Sequence, residues 1–537
     1  MNRRHFLQLA AVSGGAQALA IRSARAESPA ASPTTPIPAH VKPFEWEEAT
    51  VAGLQAAMKS GKESAASLTK KYLRRIEEMD PRLRAVLELN PDAGAIAREL
   101  DRERKAKGPR GPLHGIPVLI KDNIDTHDRM MTTAGSLALL GSIAPRDSMV
   151  AEKLRAAGAI ILGKTNLSEW ANFRGERSSS GWSGRGGQTN NPYALDRNPS
   201  GSSSGSAVAV SANLCALAIG TETDGSIIAP STLCGVVGIK ATVGLISRSG
   251  IIPISKSQDT AGPMARTVTD AAILLGALTG VDPRDEATAA SQGKSQRDYS
   301  QYLDPNGLRG ARIGVARRFF RSNMLSAKIL ESALEQMRSL GATLVDFSDD
   351  IGRGGAGEWE VLQYEFKDGI NAYLAGLGPK SPMKTLQDLI DFNEQNKDRE
   401  LKFFGQETFL KAQAKGPLTD QAYLDALARG RRLSRDEGID AVMEKNQLAA
   451  IVGPSGGPAG PTDHIYGDRE SGGGSSGPAA VAGYPNVTVP AGFFQGMPVG
   501  ISFFGRAYSE GTLLKFAFAF EQATKARQAP RFLPTIG

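Results

Sequence analysis

Two clusters rich in serine, glycine and threonine, at 200–206 and 221–226, flank a small-residue apolar run in the stretch N-P-S-G-S-S-S-G-S-A-V-A-V-S-A-N-L-C-A-L-A-I-G-T-E-T-D-G-S-I-I-A-P. The run, 207–219, is long enough for a helix followed by a buried strand, a geometry that returns the second cluster to the first. Gly201, Gly205 and Gly225 permit tight turns and close backbone approach, and the amides of such turns can form an anion-binding nest. Lys121 closes the apolar segment I-P-V-L-I-K. A lysine ending a buried strand beside serine-rich turns can be a base, provided that burial lowers its ordinary pKa of ~10.4. No histidine lies in a Ser/Gly context, so the usual partner of a nucleophilic serine is missing from the pattern.

This combination suits attack on an amide carbonyl. The serine oxygen must lose its proton as it attacks, and the tetrahedral oxyanion needs donors. A hydroxyl both donates and accepts, so a second serine can pass the proton to a neutral lysine.

From residue 111 to about 264 the chain resembles the amidase signature family, and it is most similar to the bacterial peptide amidases within it. The motifs are L-H-G-I-P, L-G-K-T-N-L-S-E-W-A-N-F-R-G, S-G-S-S-S-G-S-A-V-A-V and I-S-x-S-Q-D-T-A-G-P-M-A-R, in that order. The resemblance extends over nearly all of the chain after its leader. It implies an α/β fold, with a central mixed twisted sheet covered by helices on both faces. It further implies a Ser-Ser-Lys triad of Ser226 as nucleophile, Ser202 as bridging serine at a cis peptide bond, and Lys121 as base. The backbone N–H groups of Thr223, Asp224, Gly225 and Ser226 are the expected oxyanion hole. Asp224 stands where many members have glycine, and Ser204 where the Ser-Ser-Gly-Gly pattern has its first glycine. Both departures are shared with the peptide amidase subgroup.

The elements around these residues read as follows. Residues 44–107 show helical spacing. Strand 116–121, helix 149–157 and strand 159–163 follow, then a Ser/Gly/Arg-rich loop, 166–192, with Trp170, Phe173 and Trp182, suited to lining a substrate pocket. Helix 227–234 leads into strand 236–240, and 257–266 enters helix 268–278. Strand 311–315, helix 326–340 and strand 342–347 make a β-α-β-like unit. A largely helical insertion spans about 282–446. Strand 449–452 opens a Gly/Pro loop, 453–477, holding His464, Tyr466, Asp468 and Arg469, either mobile or functional. Strands 486–490 and 499–504 and helix 510–526 close the chain. The whole of 44–537 is expected as one amidase domain.

Residues 158–165, G-A-I-I-L-G-K-T, satisfy the phosphate-loop pattern G-x-x-x-x-G-K-[ST]. The pattern requires a flexible turn, whereas A-I-I-L reads as the strand itself, with Lys164 at a buried strand end. ATP binding is therefore a weak alternative.

Residues 1–26 carry Arg3-Arg4 before Phe-Leu, an apolar run, and Ala24-Arg25-Ala26, the pattern of a twin-arginine signal peptide. A short membrane anchor is the alternative, but the run falls short of the ~20 residues a span needs. Residues 27–43, rich in Pro, Ser and Ala, read as a disordered leader. Removing the four arginines of 1–26, which hold no acid, takes the formal charge from +7 to about +3, too mild to argue for nucleic acid. Cys215 and Cys234 lack metal-ligand spacing and H-E-x-x-H is absent, so neither metal nor cofactor is expected. A disulfide would suit an oxidising compartment, but folding before export favours buried free thiols.

The sequence thus points to a periplasmic or secreted amidohydrolase that releases ammonia from a carboxamide, above all the C-terminal amide of a peptide. Its partner is a small-molecule or peptide amide, with no stable membrane insertion after signal removal. A general aliphatic or aryl amidase, an amidotransferase A-type subunit, a nucleotide-binding ATPase and a non-catalytic amide-binding protein are the alternatives. Oligomeric state is open.

Overall fold

A computed structural model describes residues 43–379, 381–469 and 473–536. The expected export signal, and all but the last residue of the expected leader, lie outside the described residues. The body described below begins at Trp46.

Thirteen strands occur in chain order: β1 Val86–Leu89, β2 Pro117–Lys121, β3 Ile160–Thr165, β4 Trp182–Ser183, β5 Gly187–Gln188, β6 Leu217–Glu222, β7 Val237–Lys240, β8 Thr260–Ala265, β9 Arg312–Ala316, β10 Thr343–Phe347, β11 Ala450–Pro454, β12 Asn486–Phe494 and β13 Met497–Phe504. Eleven of them form one mixed sheet in the order β1-β3-β2-β6-β8-β7-β12-β13-β11-β9-β10, and β4 and β5 form a separate antiparallel pair. Helices flank the sheet, so the fold is α/β as the resemblance implies. Every residue of β2, β3, β6 and β8 is buried. Strands covered on both faces need continuous rather than alternating apolar character, and P-V-L-I-K and I-I-L-G-K-T have it.

β2, β3 and β6 are parallel, with Lys121 opposite Thr165 and Ile120 opposite Ile219. Their carboxyl ends therefore open on one edge of the sheet, where ligands of open α/β sheets bind. The helix Ser204–Ser211 between the two Ser/Gly clusters is wholly buried. Its small side chains let it lie close against the sheet. Gly205 shows how close: a Cβ there would stand 2.3 Å from the Ala85 carbonyl oxygen.

Several expectations need correction. The helical reading of 44–107 missed β1, an antiparallel edge strand on β3. Arg84, at φ 51°, ends the preceding helix and sends the chain into it. The segment 257–266 contains β8, a central strand between β6 and β7, whose Thr-Ala-Gly-Pro composition hides it. Pro263 stands opposite Ile219 of β6, and the pairing of β8 with β7 runs only through Met264 and Ala265, so a proline, which is normally excluded from central strands, lies beyond the β7 ladder. The β-α-β unit within 282–446 does not stand apart: β9 and β10 pair in parallel and continue the sheet beyond β11. The helical part proper begins at Glu358. It packs Leu362, Phe366, Ile370 and Phe409 against Trp170, Phe173, Ile252 and Ile254.

Gly163-Lys164-Thr165 lies inside β3, so no phosphate-cradling turn exists there. Lys164 Nζ instead donates to Ile124 O at 2.7 Å and Thr132 Oγ1 at 2.9 Å. Cys215 and Cys234 are buried free thiols, and burial pushes the Cys215 thiol up to about 12.

Candidate active site

Lys121 ends β2 with no exposed surface. Its Nζ lies 2.7 Å from Ser202 Oγ, 3.1 Å from Ser203 Oγ, 2.9 Å from Thr221 Oγ1 and 3.3 Å from Thr221 O. Desolvation takes its pKa from 10.5 down to about 7, opposed by the negative charges of Asp259 and Glu222. At neutral pH a substantial fraction of the amine is thus unprotonated and able to accept a proton.

The first cluster makes the turn ahead of the helix Ser204–Ser211. The Gly201–Ser202 peptide is cis, as the resemblance implies. Gly201 has a steric reason: a Cβ there would lie 2.1 Å from Ser168 Oγ. Ser203 joins the two clusters, because its N–H donates to Ser226 O at 3.1 Å and its hydroxyl donates to Thr221 O at 3.0 Å.

The second cluster leaves β6 at Glu222 and turns through Gly225, at φ 78°, a conformation that glycine adopts without strain. Glu222 is buried, and its Oε2 accepts the N–H groups of Ile227 at 2.7 Å and Ile228 at 2.9 Å. This carboxylate holds the start of the helix Ile228–Leu233 and so sets where Ser226 sits. Thr223 is tied down from the other side, its hydroxyl donating to Asp259 Oδ1 at 2.5 Å. Asp224 accepts from Ser476 Oγ at 2.6 Å. The N–H groups of Asp224, Gly225 and Ser226 donate to no acceptor among the described residues.

Thr223, Asp224, Gly225 and Ser226 all line one cavity of about 330 Å³. Phe173 and Asn172 from the loop 166–192 and Trp359 and Leu362 from the helix Glu358–Gly376 complete its walls. Trp182 does not line it, packing instead on Phe403 and Phe404. Ser202 faces a second cavity of about 200 Å³, and Ala171, Thr223 and Ile254 line both, so the two adjoin. Among the described residues the Ser226 hydroxyl has no hydrogen-bond partner, whereas the Lys121–Ser202 contact is formed.

The loop after β11 is anchored. Asp468 accepts from Ser180 N at 2.8 Å, Ser180 Oγ at 2.5 Å and Asn198 Nδ2 at 3.1 Å, and it reaches the larger cavity. His464 stacks on Phe403 with ring centroids 4.0 Å apart.

The three residues implied as catalytic and the four implied for the oxyanion hole therefore gather at the carboxyl ends of β2 and β6. Sequence reasoning missed Ser203, Thr221, Glu222, Asn123 and Asp259. Glu222 and Thr221 sit inside the second cluster and Asn123 follows Lys121 by two, so their proximity was visible although their roles were not.

The amidase family pattern matches residues 67–514. The chain belongs to the amidase signature family and is an amidase. Among solved structures it is similar to the native peptide amidase of Stenotrophomonas maltophilia, with a TM-score of 0.87 and 50% identity covering 91% of this chain and 100% of that one. A peptide amidase bound to the competitive inhibitor chymostatin gives 0.88 and 51% with the same coverage. A probable amidase of Arabidopsis thaliana is 44% identical over 501 residues, 91% of this chain and 93% of its own length. A glutamyl-tRNA(Gln) amidotransferase component of Thermoanaerobacter pseudethanolicus is 33% identical over 508 residues, with 91% and 99% covered.

Proposed function

We propose that the protein is an exported amidase that hydrolyses the C-terminal carboxamide of peptides through Ser226, Ser202 and Lys121. The observation that carries the triad is the 2.7 Å contact between Ser202 Oγ and a wholly buried Lys121. Neutral Lys121 accepts the Ser202 proton while Ser202 accepts the proton of Ser226, whose oxygen attacks the carbonyl carbon. The Ser226–Ser202 hydrogen bond closes when substrate is bound, as catalytic contacts in unliganded sites commonly do. The oxyanion takes the free N–H groups of residues 224–226, each donor contributing about 3–4 kcal/mol in comparable serine hydrolases. The proton then returns through Ser202 to the nitrogen, the C–N bond breaks and ammonia leaves. Water hydrolyses the acyl-enzyme.

The peptide reading is supported by the aromatic walls of the larger cavity and by similarity to peptide amidase across nearly all of the chain. Export rests on the sequence of residues 1–26. The test is ammonia release from peptide amides, small aliphatic and aryl amides and free glutamine, with Ser226→Ala in parallel. Release from peptide amides, abolished in Ser226→Ala, is expected. Preference for small amides or glutamine would overturn the substrate reading and leave the triad standing, and an active Ser226→Ala would overturn the triad.

A further inference from the structure

A further cavity, of about 800 Å³, shares no lining residue with the cavity of Ser226. Arg248 and Lys256 line both it and the chamber beside Ser202, so the segment 248–257 stands between the two. The hydrolysis of a carboxamide makes no use of it.

Its charge is unbalanced. Arg248, Lys256, Arg431 and Arg435 face it, with Glu286 and Glu365 as the carboxylates. Arg248 is committed to Asp285 through contacts of 2.9 and 2.6 Å. Lys256, Arg431 and Arg435 form no ion pair among the described residues. Glu365 is buried and accepts from neutral donors, Ser255 Oγ at 2.5 Å, Ser257 N at 3.0 Å and Tyr423 Oη at 2.7 Å. Glu286 is exposed. Three unpaired cations thus exceed the two carboxylates by one charge, which suits a monoanion. A phosphate monoester, at about −1.5 to −2 near neutral pH, carries more than that.

Arg435 fixes where the anion sits. It opens a single π-helical turn, Arg435–Ile439, that follows the helix Gln421–Ser434, and such turns occur frequently at functional sites. Its Nε donates to Ala482 O at 2.7 Å, and its guanidinium lies 5.5 Å from the centre of the Tyr484 ring. These contacts hold the plane of the fork, while its Nη groups donate to no acceptor among the described residues. Desolvation and the charge of Arg431 hold its pKa below the ordinary value, against Tyr484, Asp440 and Asp436. Asp440 is already engaged by Tyr484 Oη at 2.7 Å and Arg506 Nε at 3.2 Å. A half-buried guanidinium without a carboxylate is unfavourable, and an oxyanion accepting from both Nη groups would relieve it. Leu424 and Leu427 from the same helix, with Tyr508, give the cavity an apolar wall.

We propose that this cavity binds a small organic monocarboxylate, its carboxylate on the Arg435 fork beside Arg431 and its apolar or aromatic body against Leu424, Leu427 and Tyr508. The site is separate from the one that takes the amide, so it keeps its ligand during turnover.

The experiment titrates the protein with benzoate, benzyl alcohol and acetate in a calorimeter. Benzoate carries both charge and ring, benzyl alcohol only the ring, acetate only the charge. Wild type is expected to bind benzoate at least about tenfold more tightly than either of the others. Arg435→Gln should weaken benzoate at least about tenfold, and Arg431→Gln, at an exposed position, about two- to fivefold. Ammonia release from a peptide amide without benzoate should stay within about twofold of wild type in both variants, and benzoate should leave KM for that amide unchanged. Benzoate that raises KM and binds Arg435→Gln as tightly as wild type lies in the substrate cavity, and the proposal then fails. It fails equally if wild type binds no benzoate at millimolar concentration. Benzyl alcohol binding as tightly as benzoate would refute the anion, and acetate doing so would refute the apolar body. If Arg435→Gln does not fold, an unchanged benzoate affinity in Arg431→Gln overturns the assignment.

Discussion

Lys121 Nζ and Ser202 Oγ stand 2.7 Å apart at the carboxyl end of a strand with no exposed residue. The lysine reaches that position with its pKa lowered to about 7, first by desolvation. The base must be neutral to act, so kcat/KM for ammonia release should rise with pH through about 7 and level off above it. Removing Asp259 or Glu222, whose charges oppose the shift, should move this limb to lower pH. A pH–rate profile that is flat between pH 6 and 8 would exclude Lys121 as the base.

The same shift has a consequence for stability. The folded-state pKa lies below the ordinary value of 10.5, so the folded protein binds fewer protons than the unfolded chain between pH 7 and 10.5. The cost is complete below pH 7, with an upper bound of roughly 5 kcal/mol, and disappears as the pH rises towards 10.5. Lys121→Met should therefore be inactive yet unfold at higher urea than wild type at pH 6. That advantage should shrink steadily between pH 7 and 10.

Glu222 holds the N–H groups of Ile227 and Ile228 with a single oxygen, and burial raises its pKa while Lys240 lowers it. Glu222→Ala leaves two buried donors unpaired, at about 1–3 kcal/mol each, and frees the turn that carries Ser226. The expected result is a larger fall in kcat than rise in KM. Glu222→Gln keeps a carbonyl acceptor and should recover part of kcat. Steady-state kinetics beside urea unfolding separates the two effects.

Arg174 and Glu169 form an ion pair of 2.8 Å in which neither side chain is exposed. Arg174 also donates to Phe404 O and Gly405 O, both at 3.0 Å, and lies 4.1 Å from the Phe404 ring centroid. It therefore fastens the loop 166–192, one wall of the substrate cavity, to the helical cover. Breaking such a pair from one side costs about 3–5 kcal/mol. Arg174→Met should show that loss in urea unfolding and raise KM for peptide amides.

Glu358 shares the substrate cavity with Asp224, and burial and that neighbouring charge push its carboxyl up to about 8. Between pH 7 and 9 the wall gains a negative charge. KM for a lysine-containing peptide amide should fall over that interval relative to a neutral peptide amide, and Glu358→Gln should abolish the difference.

The residues themselves decided much of this protein. Short continuous apolar runs such as P-V-L-I and A-I-I-L, bounded by turn residues, fit strands buried on both faces, and a lysine closing one of them is placed where burial can desolvate it. Glycine and serine made 200–203 and 223–226 suited to turns, while the roles of Lys121, Ser202 and Ser226 were implied by the resemblance to the amidase signature family. What the chain alone did not reveal depended on partners distant in sequence. β8 was hidden because its Thr-Ala-Gly-Pro composition becomes a strand only between β6 and β7. β1 needed an exposed edge of β3 to pair with. Glu222, Asn123 and Asp259 gained their roles from burial and from which polar atoms the fold brought within about 3 Å of them. Local spacing reports backbone conformation and burial. The pairing of a polar group, or its lack of an ion pair among the described residues as at Arg435, exists only once the sheet has brought remote segments together.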